Sequence, residues 1–229
     1  MTIHSKEIVN ANVGWPMKST VPATLPYPGL YRRFGKRFFD VCFVVLSAPI
    51  VVPLTLIFAL MLVSQGVMPF YRQPRIGRNG KIFYLLKLRT MVHDAEAVLD
   101  RYLSDNPEAR DEWERNQKLQ QDPRIIKGGA ILRKSSMDEL PQFWNVLMGE
   151  MSLIGPRPMM VSQQELYPSD TYYSMRPGIS GMWQVSKRNN STFADRALHD
   201  NAYWKCMSFS TDVSILIRTI FVVLRGTGC

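Results

Sequence analysis

The sequence contains few of the residues that form disulfide frameworks or metal sites with soft ligands. Its 229 residues include three cysteines and three histidines. These six residues lie far apart in the chain: Cys42, Cys206, Cys229, His4, His93 and His199. An odd, scattered cysteine set excludes a disulfide framework, and neither residue type recurs at the spacing of a zinc site. We therefore expect a reducing compartment and a chemistry based on carboxylates and cationic side chains.

Acidic residues are scarce relative to basic ones. Lys and Arg number 28 against 19 Asp and Glu, which gives a formal net charge of +9. Hydrophobic residues make up 46% of the chain, so a wholly disordered or low-complexity protein is excluded. The excess of positive charge predicts an anionic partner, which could be nucleic acid, an anionic membrane face or a phosphorylated substrate.

Residues 1–30 lack a periodic apolar face and contain four prolines. Such a segment cannot bury enough apolar surface to offset the entropy of ordering it, so we predict a flexible leader over 1–30. A secretory signal peptide is not expected here, because the apolar run of the chain comes later and no small-residue cleavage site follows it.

The longest apolar run extends from Val41 to Val63 without a charged residue. A membrane-spanning helix needs about 20 apolar residues, so this run is long enough to cross a bilayer. Basic residues flank it on both sides: Arg32, Arg33, Lys36 and Arg37 before it, and Arg72, Arg75, Arg78 and Lys81 after it. The positive-inside rule assigns both flanks to the cytoplasm. We therefore predict a re-entrant membrane helix within residues 31–66.

Two prolines, Pro49 and Pro53, lie inside this run and each removes a helical hydrogen bond. We expect the re-entrant helix to break near Ala48-Pro49. A single span across the bilayer and a buried core helix of a soluble protein are the alternatives.

Residues 67–229 are predicted to form a cytoplasmic catalytic domain of α+β class, mainly helical, with a small β-hairpin. The hairpin is expected within Met68–Thr90, around a two-residue turn at Asn79-Gly80. Amphipathic helices are expected at Asp94–Leu103, from Pro107 to about Leu119, from about Asp138 onward, and at Asp212–Leu224. The last of these is too short to span a bilayer, so it either docks on the fold or lies at the lipid surface.

Two adjacent acids, Asp138 and Glu139, precede an apolar helical pattern. Pro141 lacks an N–H and is tolerated only within a first helical turn, which favours a helix start at Asp138. A start capped by Ser136, with Glu139 at the capping-box position, remains an alternative. The two carboxylates either cap this helix or take part in chemistry.

Several basic residues are expected in rigid Pro/Gly-rich turns rather than on helix faces. They are Arg133, Lys134, Arg157, Arg176 and Arg188. Lys87 and Arg89 add charge on one face of a hairpin strand. Guanidinium groups held in rigid turns suit phosphate oxygens. An acidic pair among such cations suits phosphoryl transfer, with one carboxylate as nucleophile and the other as a ligand of Mg²⁺.

Ordered motifs run through most of the chain. They are Lys36-Arg37-Phe38-Phe39-Asp40, Lys87-Leu88-Arg89-Thr90-Met91, Asp122-Pro123-Arg124-Ile125, Ser136-Met137-Asp138-Glu139-Leu140-Pro141-Gln142, Asn145-Val146, Gly149-Glu150-Met151-Ser152, Gly155-Pro156-Arg157-Pro158, Arg176-Pro177-Gly178-Ile179-Ser180-Gly181 and Trp183-Gln184-Val185. In this order the chain from Lys36 to the C-terminus resembles the bacterial sugar transferases, which are monotopic polyprenyl-phosphate phosphoglycosyl transferases.

The resemblance implies an active site on the cytoplasmic face of the bacterial inner membrane, with Mg²⁺ as cofactor. It implies a phosphosugar intermediate on Asp138, with Glu139 as the metal-binding acid. It also implies phosphate- and substrate-contacting positions, which fall on Lys87, Arg133, Arg157 and Arg176. Arg89, Gln184 and Arg188 complete the expected substrate-binding set.

The expected reaction moves a sugar-1-phosphate, of galactose or glucose, from a UDP-sugar to undecaprenyl phosphate and releases UMP, as the priming step of exopolysaccharide synthesis. The C-terminal residues Leu224–Cys229 resemble those of exopolysaccharide-priming galactosyl-phosphate transferases. Downstream glycosyltransferases are candidate partners, and a dimer is left open. Nucleic acid is not expected, because no continuous basic stripe with interleaved aromatics is present. The alternatives are a non-catalytic module that binds nucleic acid or anionic lipid, and a phosphatase that uses the same acids.

Overall fold

The computed structural model of the chain describes residues 29–116, 119, 121–186 and 195–224. The expected leader, residues 1–30, lies outside these ranges except for its last two residues, and so does Arg188. In the part described, helices predominate over strands. The prediction of a mainly helical fold with a small sheet is therefore confirmed.

The first helix, α1, spans Lys36–Ser64 and follows a π-helical turn at Tyr31–Gly35. Together they are long and apolar enough to cross a membrane. Only 6% of the most apolar 18-residue window of this helix is buried inside the protein. So little burial argues against the core helix of a soluble protein, because such a helix would be covered on most sides.

Pro49 and Pro53 both lie inside α1 without interrupting it. The helix is therefore continuous at Ala48-Pro49, where a break was expected. The Ser47 hydroxyl donates to the carbonyls of Phe43 and Val44 one turn earlier. An apolar helix tolerates a proline when only one backbone hydrogen bond is lost and the neighbouring turns stay intact.

The N-terminal part of α1 is fastened to the rest of the protein by polar contacts. Lys36 Nζ lies 2.7 Å from Asp212 Oδ2 and donates to the Tyr203 hydroxyl at 2.9 Å. The buried Asp40 carboxylate accepts hydrogen bonds from the Ser152 hydroxyl and the Leu153 N–H, each at 3.0 Å. These bonds hold the start of the apolar helix against the globular part of the chain.

The C-terminal part of α1 packs on the same globular part through apolar contacts. Ala59 and Leu62 are buried in a cluster with Leu88 and Leu132. Between the two ends, Leu46 is 80% exposed and Ile50 is 71% exposed. Both ends of α1 therefore contact one body of protein, while apolar side chains of its middle stay uncovered.

The strands form two small sheets. They are β1 (Phe70–Ile76), β2 (Ile82–Leu88), β3 (Ser152–Ile154), β4 (Met159–Met160) and β5 (Gly178–Ser180). β1 pairs antiparallel with both β2 and β4, whereas β3 pairs in parallel with β5. The predicted hairpin is confirmed, but its turn comprises residues 77–81 rather than two residues. Asn79 and Gly80 both adopt positive φ, at 59° and 73°.

The remaining helices are α2 (Ala95–Asp105), α3 (Pro107–Asn116), α4 (Gly129–Lys134), α5 (Gln142–Met148), α6 (Asp195–Cys206) and α7 (Phe209–Leu224), with 3-10 turns at Met137–Glu139, Val161–Leu166 and Asp170–Ser174. Of these helices, α5 and α7 pack against the strands. The main core lies where α5, β3 and α6 meet, and Val146, Met151 and Ile154 are fully covered there.

Asp200 of α6 is a buried acid, and the Tyr167 hydroxyl donates a hydrogen bond to it. Burial raises the pKa of Asp200 to about 6, although the bond from Tyr167 and the charge of Arg196 act in the opposite direction. The folded protein therefore holds this proton to a higher pH than the unfolded chain does. The free energy of unfolding should fall as pH rises between 3.8, the ordinary value, and about 6.

Asp200→Asn should remove this penalty. The variant is expected to match the wild type near pH 4 and to exceed its free energy of unfolding by up to about 3 kcal/mol above pH 6. Thermal unfolding in detergent at a series of pH values measures the difference. Asp100→Asn, which removes an exposed carboxylate of α2, is the control. A difference that does not change with pH would contradict the buried, proton-holding environment of Asp200.

Candidate active site

Asp138 and Glu139 lie on a short turn rather than in a helix. The 3-10 turn Met137–Glu139 follows Ser136, whose φ of 58° redirects the chain after α4. Pro141 occupies the position before the first residue of α5, Gln142. The predicted helix start at Asp138 is wrong by four residues, and the Ser136 side chain makes no capping bond. In a regular helix the two adjacent carboxylates would point about 100° apart. The tight turn instead brings both of them near one cationic side chain.

That side chain is Lys87 of β2. Its Nζ lies 2.7 Å from Glu139 Oε1 and 3.6 Å from Asp138 Oδ2. Asn145 of α5 connects the two elements, since its Oδ1 accepts from the Leu86 N–H at 3.0 Å and its Nδ2 donates to the Tyr84 carbonyl at 2.8 Å. The Asn145 side chain thus holds β2 against α5, and this positions Lys87 of β2 beside the two acids.

Asp138 is a nearly buried carboxyl, with 11% of its side chain exposed. Burial raises its pKa, the Lys87 ammonium lowers it, and the neighbouring Glu139 raises it again. Arg133 is also close enough for its charge to lower this pKa. A weakly hydrated carboxylate beside a lysine is well suited to attack an electrophile, because little water must be removed from its oxygens.

Two adjoining cavities share Glu139 and Arg157 in their walls. The larger has a volume of about 230 Å³ and the smaller about 30 Å³. The walls of the larger are mostly apolar and include Phe43 of α1, Leu140, Phe143 and residues of α7 such as Leu216 and Val223. The smaller is mostly polar and includes Arg75, Lys87 and Gln142. An apolar space and a cationic one therefore meet at Glu139 and Arg157, next to Asp138 in the chain.

Arg157 owes its position to a close approach of two backbone segments. A Cβ on Gly178 would lie 2.1 Å from the backbone N of Gly155, so both glycines are required for the contact of β5 with the segment before Arg157. The Gly155 N–H donates to the Ser180 carbonyl at 2.9 Å. The rigid turn predicted around Arg157 is confirmed in this respect.

The structure gathers part of the predicted set. Lys87, Asp138, Glu139, Arg157 and Gln184 line the cavities or contact residues that do. Gln184 donates through Nε2 to the Ile179 carbonyl at 3.0 Å, and its buried Oε1 has no hydrogen-bond partner among the described residues.

Other predicted residues lie elsewhere. The Arg89 guanidinium donates to the Met68 carbonyl and stacks over the Tyr71 ring, and Arg176 donates through Nε to the Gly149 carbonyl at 2.8 Å. Neither lines the two cavities. Arg133 and Lys134 belong to α4, so the prediction that they lie in a Pro/Gly-rich turn is wrong. The glycines before them begin that helix instead of ending it.

Sequence reasoning missed Arg75, which lines the smaller cavity. It was assigned only to the basic flank of the membrane helix. The observed register pairs Arg75 with Phe83 and places it on the same strand face as Lys87. A two-residue turn at Asn79-Gly80 would pair Arg75 with Tyr84 and reverse that face, because a shift of one residue moves every side chain to the other side.

Comparison with known proteins identifies the family of the chain. The family model described as bacterial sugar transferase matches residues 31–226. An uncharacterized sugar transferase of Haemophilus influenzae is 46% identical over 87% of this chain and 43% of its own length. The exopolysaccharide production protein ExoY of Rhizobium meliloti is 43% identical over 87% of this chain and 91% of its own length.

The undecaprenyl-phosphate galactose phosphotransferase of Salmonella typhimurium is 42% identical over 86% of this chain and 42% of its own length. The chain thus spans less than half the length of the Haemophilus and Salmonella proteins. The family model covers the acidic pair, Lys87, Arg157 and the apolar helix in one continuous match. The chain therefore belongs to the bacterial sugar transferase family.

Proposed function

We propose that the chain transfers a sugar-1-phosphate from a UDP-sugar to undecaprenyl phosphate and releases UMP, as the priming step of exopolysaccharide synthesis. The observation that carries the proposal is the junction of a cationic cavity with an apolar one at Glu139, beside Asp138, whose Oδ2 lies 3.6 Å from the cavity residue Lys87. The names of two relatives, an undecaprenyl-phosphate galactose phosphotransferase and a UDP-galactose-lipid carrier transferase, support galactose as the sugar, with glucose as the second choice.

In the first step the Asp138 carboxylate attacks the phosphorus that bears the sugar. A bond from Oδ to phosphorus forms, the bond from phosphorus to the bridging oxygen breaks, and UMP leaves. In the second step an oxygen of undecaprenyl phosphate attacks the same phosphorus, which restores the carboxylate and yields the lipid diphosphosugar. Lys87 reduces the repulsion between the attacking carboxylate and the anionic diphosphate, because its positive charge lies 3.6 Å from Asp138 Oδ2.

The acidic pair fits a magnesium ion that a substrate helps to hold. No cluster of three or more metal-ligating side chains occurs among the described residues. Mg²⁺ commonly binds one or two carboxylates together with substrate phosphates, which matches two adjacent acids beside an anion site. We assign Glu139 as its ligand, and the ion would neutralise charge on the diphosphate when bound.

The larger cavity suits a lipid acceptor. Its apolar lining includes Phe43 of α1, Phe143 of α5 and Leu216 of α7, and Glu139 and Arg157 also line it. The first prenyl units of undecaprenyl phosphate can lie against the apolar wall while the phosphate meets the arginine. Both ends of α1 contact the same globular part, which supports a re-entrant arrangement with both basic flanks on the cytoplasmic face.

The direct test is a transfer assay with detergent-solubilised protein, Mg²⁺ and a panel of UDP-galactose, UDP-glucose and UDP-N-acetylgalactosamine. With undecaprenyl phosphate present, UMP and lipid-extractable sugar should form in equal amounts, most rapidly from UDP-galactose. Without the lipid, UMP release should stop at about one equivalent per protein. Continuous release of free sugar phosphate without lipid would indicate a phosphatase, and absence of UMP release with all three donors would exclude the proposed enzyme.

A further inference from the structure

The smaller cavity contains two arginines, Arg75 and Arg157, that form no ion pair with an acid among the described residues. We propose that Arg75 is a diphosphate-binding residue, which together with Arg157 forms a two-guanidinium subsite for the phosphates of the nucleoside diphosphate sugar. The inference rests on the proposed function and adds to it a residue that binds the donor.

Arg75 is held firmly but is incompletely bonded. Its Nη1 donates to the Pro158 carbonyl at 3.1 Å and its Nη2 donates to Gln73 Oε1 at 2.5 Å. Its Nε is buried and has no hydrogen-bond partner in the described part of the chain. A buried donor without a partner is costly unless a ligand supplies one.

The charges around the smaller cavity do not balance. Lys87 is paired with Glu139 at 2.7 Å and lies 3.6 Å from Asp138, so both acids already share one cation. Neither Arg75 nor Arg157 forms an ion pair with any residue within the described ranges. Burial and then the Arg157 charge lower the pKa of Arg75 to about 10, although the charge of Glu139 acts in the opposite direction. With Lys87, Arg75 and Arg157 set against Asp138 and Glu139, one positive charge is in excess, which favours an anionic ligand such as a diphosphate.

The backbone holds the Arg75 guanidinium in a fixed place. β1 is the middle strand of its sheet, paired with β2 at Phe83 and with β4 at Met160. The cavity volume of about 30 Å³ admits phosphate oxygens but no nucleoside, so the nucleoside must lie elsewhere. A guanidinium pair fixed before the substrate arrives favours bidentate contacts with phosphate oxygens.

The test compares binding of UDP, UMP and uridine to the detergent-solubilised full chain by calorimetry. Arg75→Gln should weaken UDP binding at least about tenfold, weaken UMP binding less, and leave uridine binding unchanged. Arg75→Lys should show a smaller loss for UDP, since it keeps the charge but loses the fork. Arg72→Gln is the matched control, because Arg72 is exposed on the opposite face of the same strand.

Arg75→Gln and Arg75→Lys should raise KM for the UDP-sugar in the transfer assay, whereas Arg72→Gln should leave both KM and UDP binding unchanged. UDP binding at wild-type affinity in folded Arg75→Gln would overturn the inference. An equal loss for UDP, UMP and uridine, with a lower unfolding midpoint, would show a structural role instead. If Arg75→Gln does not yield folded protein, Arg75→Lys decides by the same comparison. Wild-type turnover in the same assay tests the proposed function separately.

Discussion

Asp138→Asn should lower transfer from UDP-galactose to undecaprenyl phosphate at least about a thousandfold, as expected when a nucleophile is removed. The amide has almost the shape of the carboxylate, so packing around this nearly buried side chain should change little. What is lost is the ionised oxygen that forms the bond to phosphorus. Rates measured as UMP release and as lipid-extractable label should fall together.

The covalent adduct provides the second measurement. Wild-type protein mixed with UDP-galactose and quenched without lipid acceptor should gain the mass of a hexose phosphate, mapped to the peptide that carries Asp138. Asp138→Asn should gain none, whereas Asp100→Asn on α2 should behave as the wild type. A variant that retains wild-type turnover, or a wild type that turns over without any adduct under rapid quench, would refute the nucleophile assignment.

Glu139→Gln should lower the transfer rate at least about a hundredfold and weaken its dependence on Mg²⁺. The substitution keeps the length of the side chain but removes the charge that now pairs with Lys87 at 2.7 Å. Lys87 then retains Asp138, at 3.6 Å, as its carboxylate neighbour. We therefore expect both weaker metal binding and a nucleophile more tightly held by the lysine.

A magnesium titration of the rate separates these effects. The concentration for half-maximal rate should rise in Glu139→Gln and stay unchanged in Glu96→Gln, a control at an exposed residue of α2. If Glu139→Gln is slower but its magnesium midpoint is unaltered, Glu139 is not a metal ligand but still contributes to catalysis. If its rate and midpoint are both unaltered, Glu139 has neither role.

Much of the fold follows from local pattern. The apolar run predicts α1, the Asn79-Gly80 pair predicts the hairpin, and helical spacing predicts α2 and α7. Such features depend on neighbours within a few residues, so the sequence displays them directly. The predicted two-residue turn was wrong, because hydrogen bonds between the strands set the length of the turn, which comprises residues 77–81. With the predicted register, Arg75 would lie on the strand face opposite Lys87, so its place in the smaller cavity could not be predicted.

The candidate site shows the same division. Asp138, Glu139 and Arg157 were identified from residue type and motif, and their side chains line or adjoin the cavities. Asn145, which links α5 to β2, had no local pattern that revealed its role. Arg89 and Arg176 carry the same chemistry as Arg157, but the packing directs them to backbone carbonyls away from the cavities. Their place in substrate binding stays a prediction.

Composition, the apolar run and the ordered motifs were enough to establish the family, the acidic pair and a membrane-associated helix. Those properties reside in residue identity and short-range spacing. The meeting of an apolar cavity with a cationic one, and the choice of Arg75 over other arginines, depend on strand register and on helices distant in sequence. Long-range contacts are settled by packing of the whole chain, and no local window of residues contains that information.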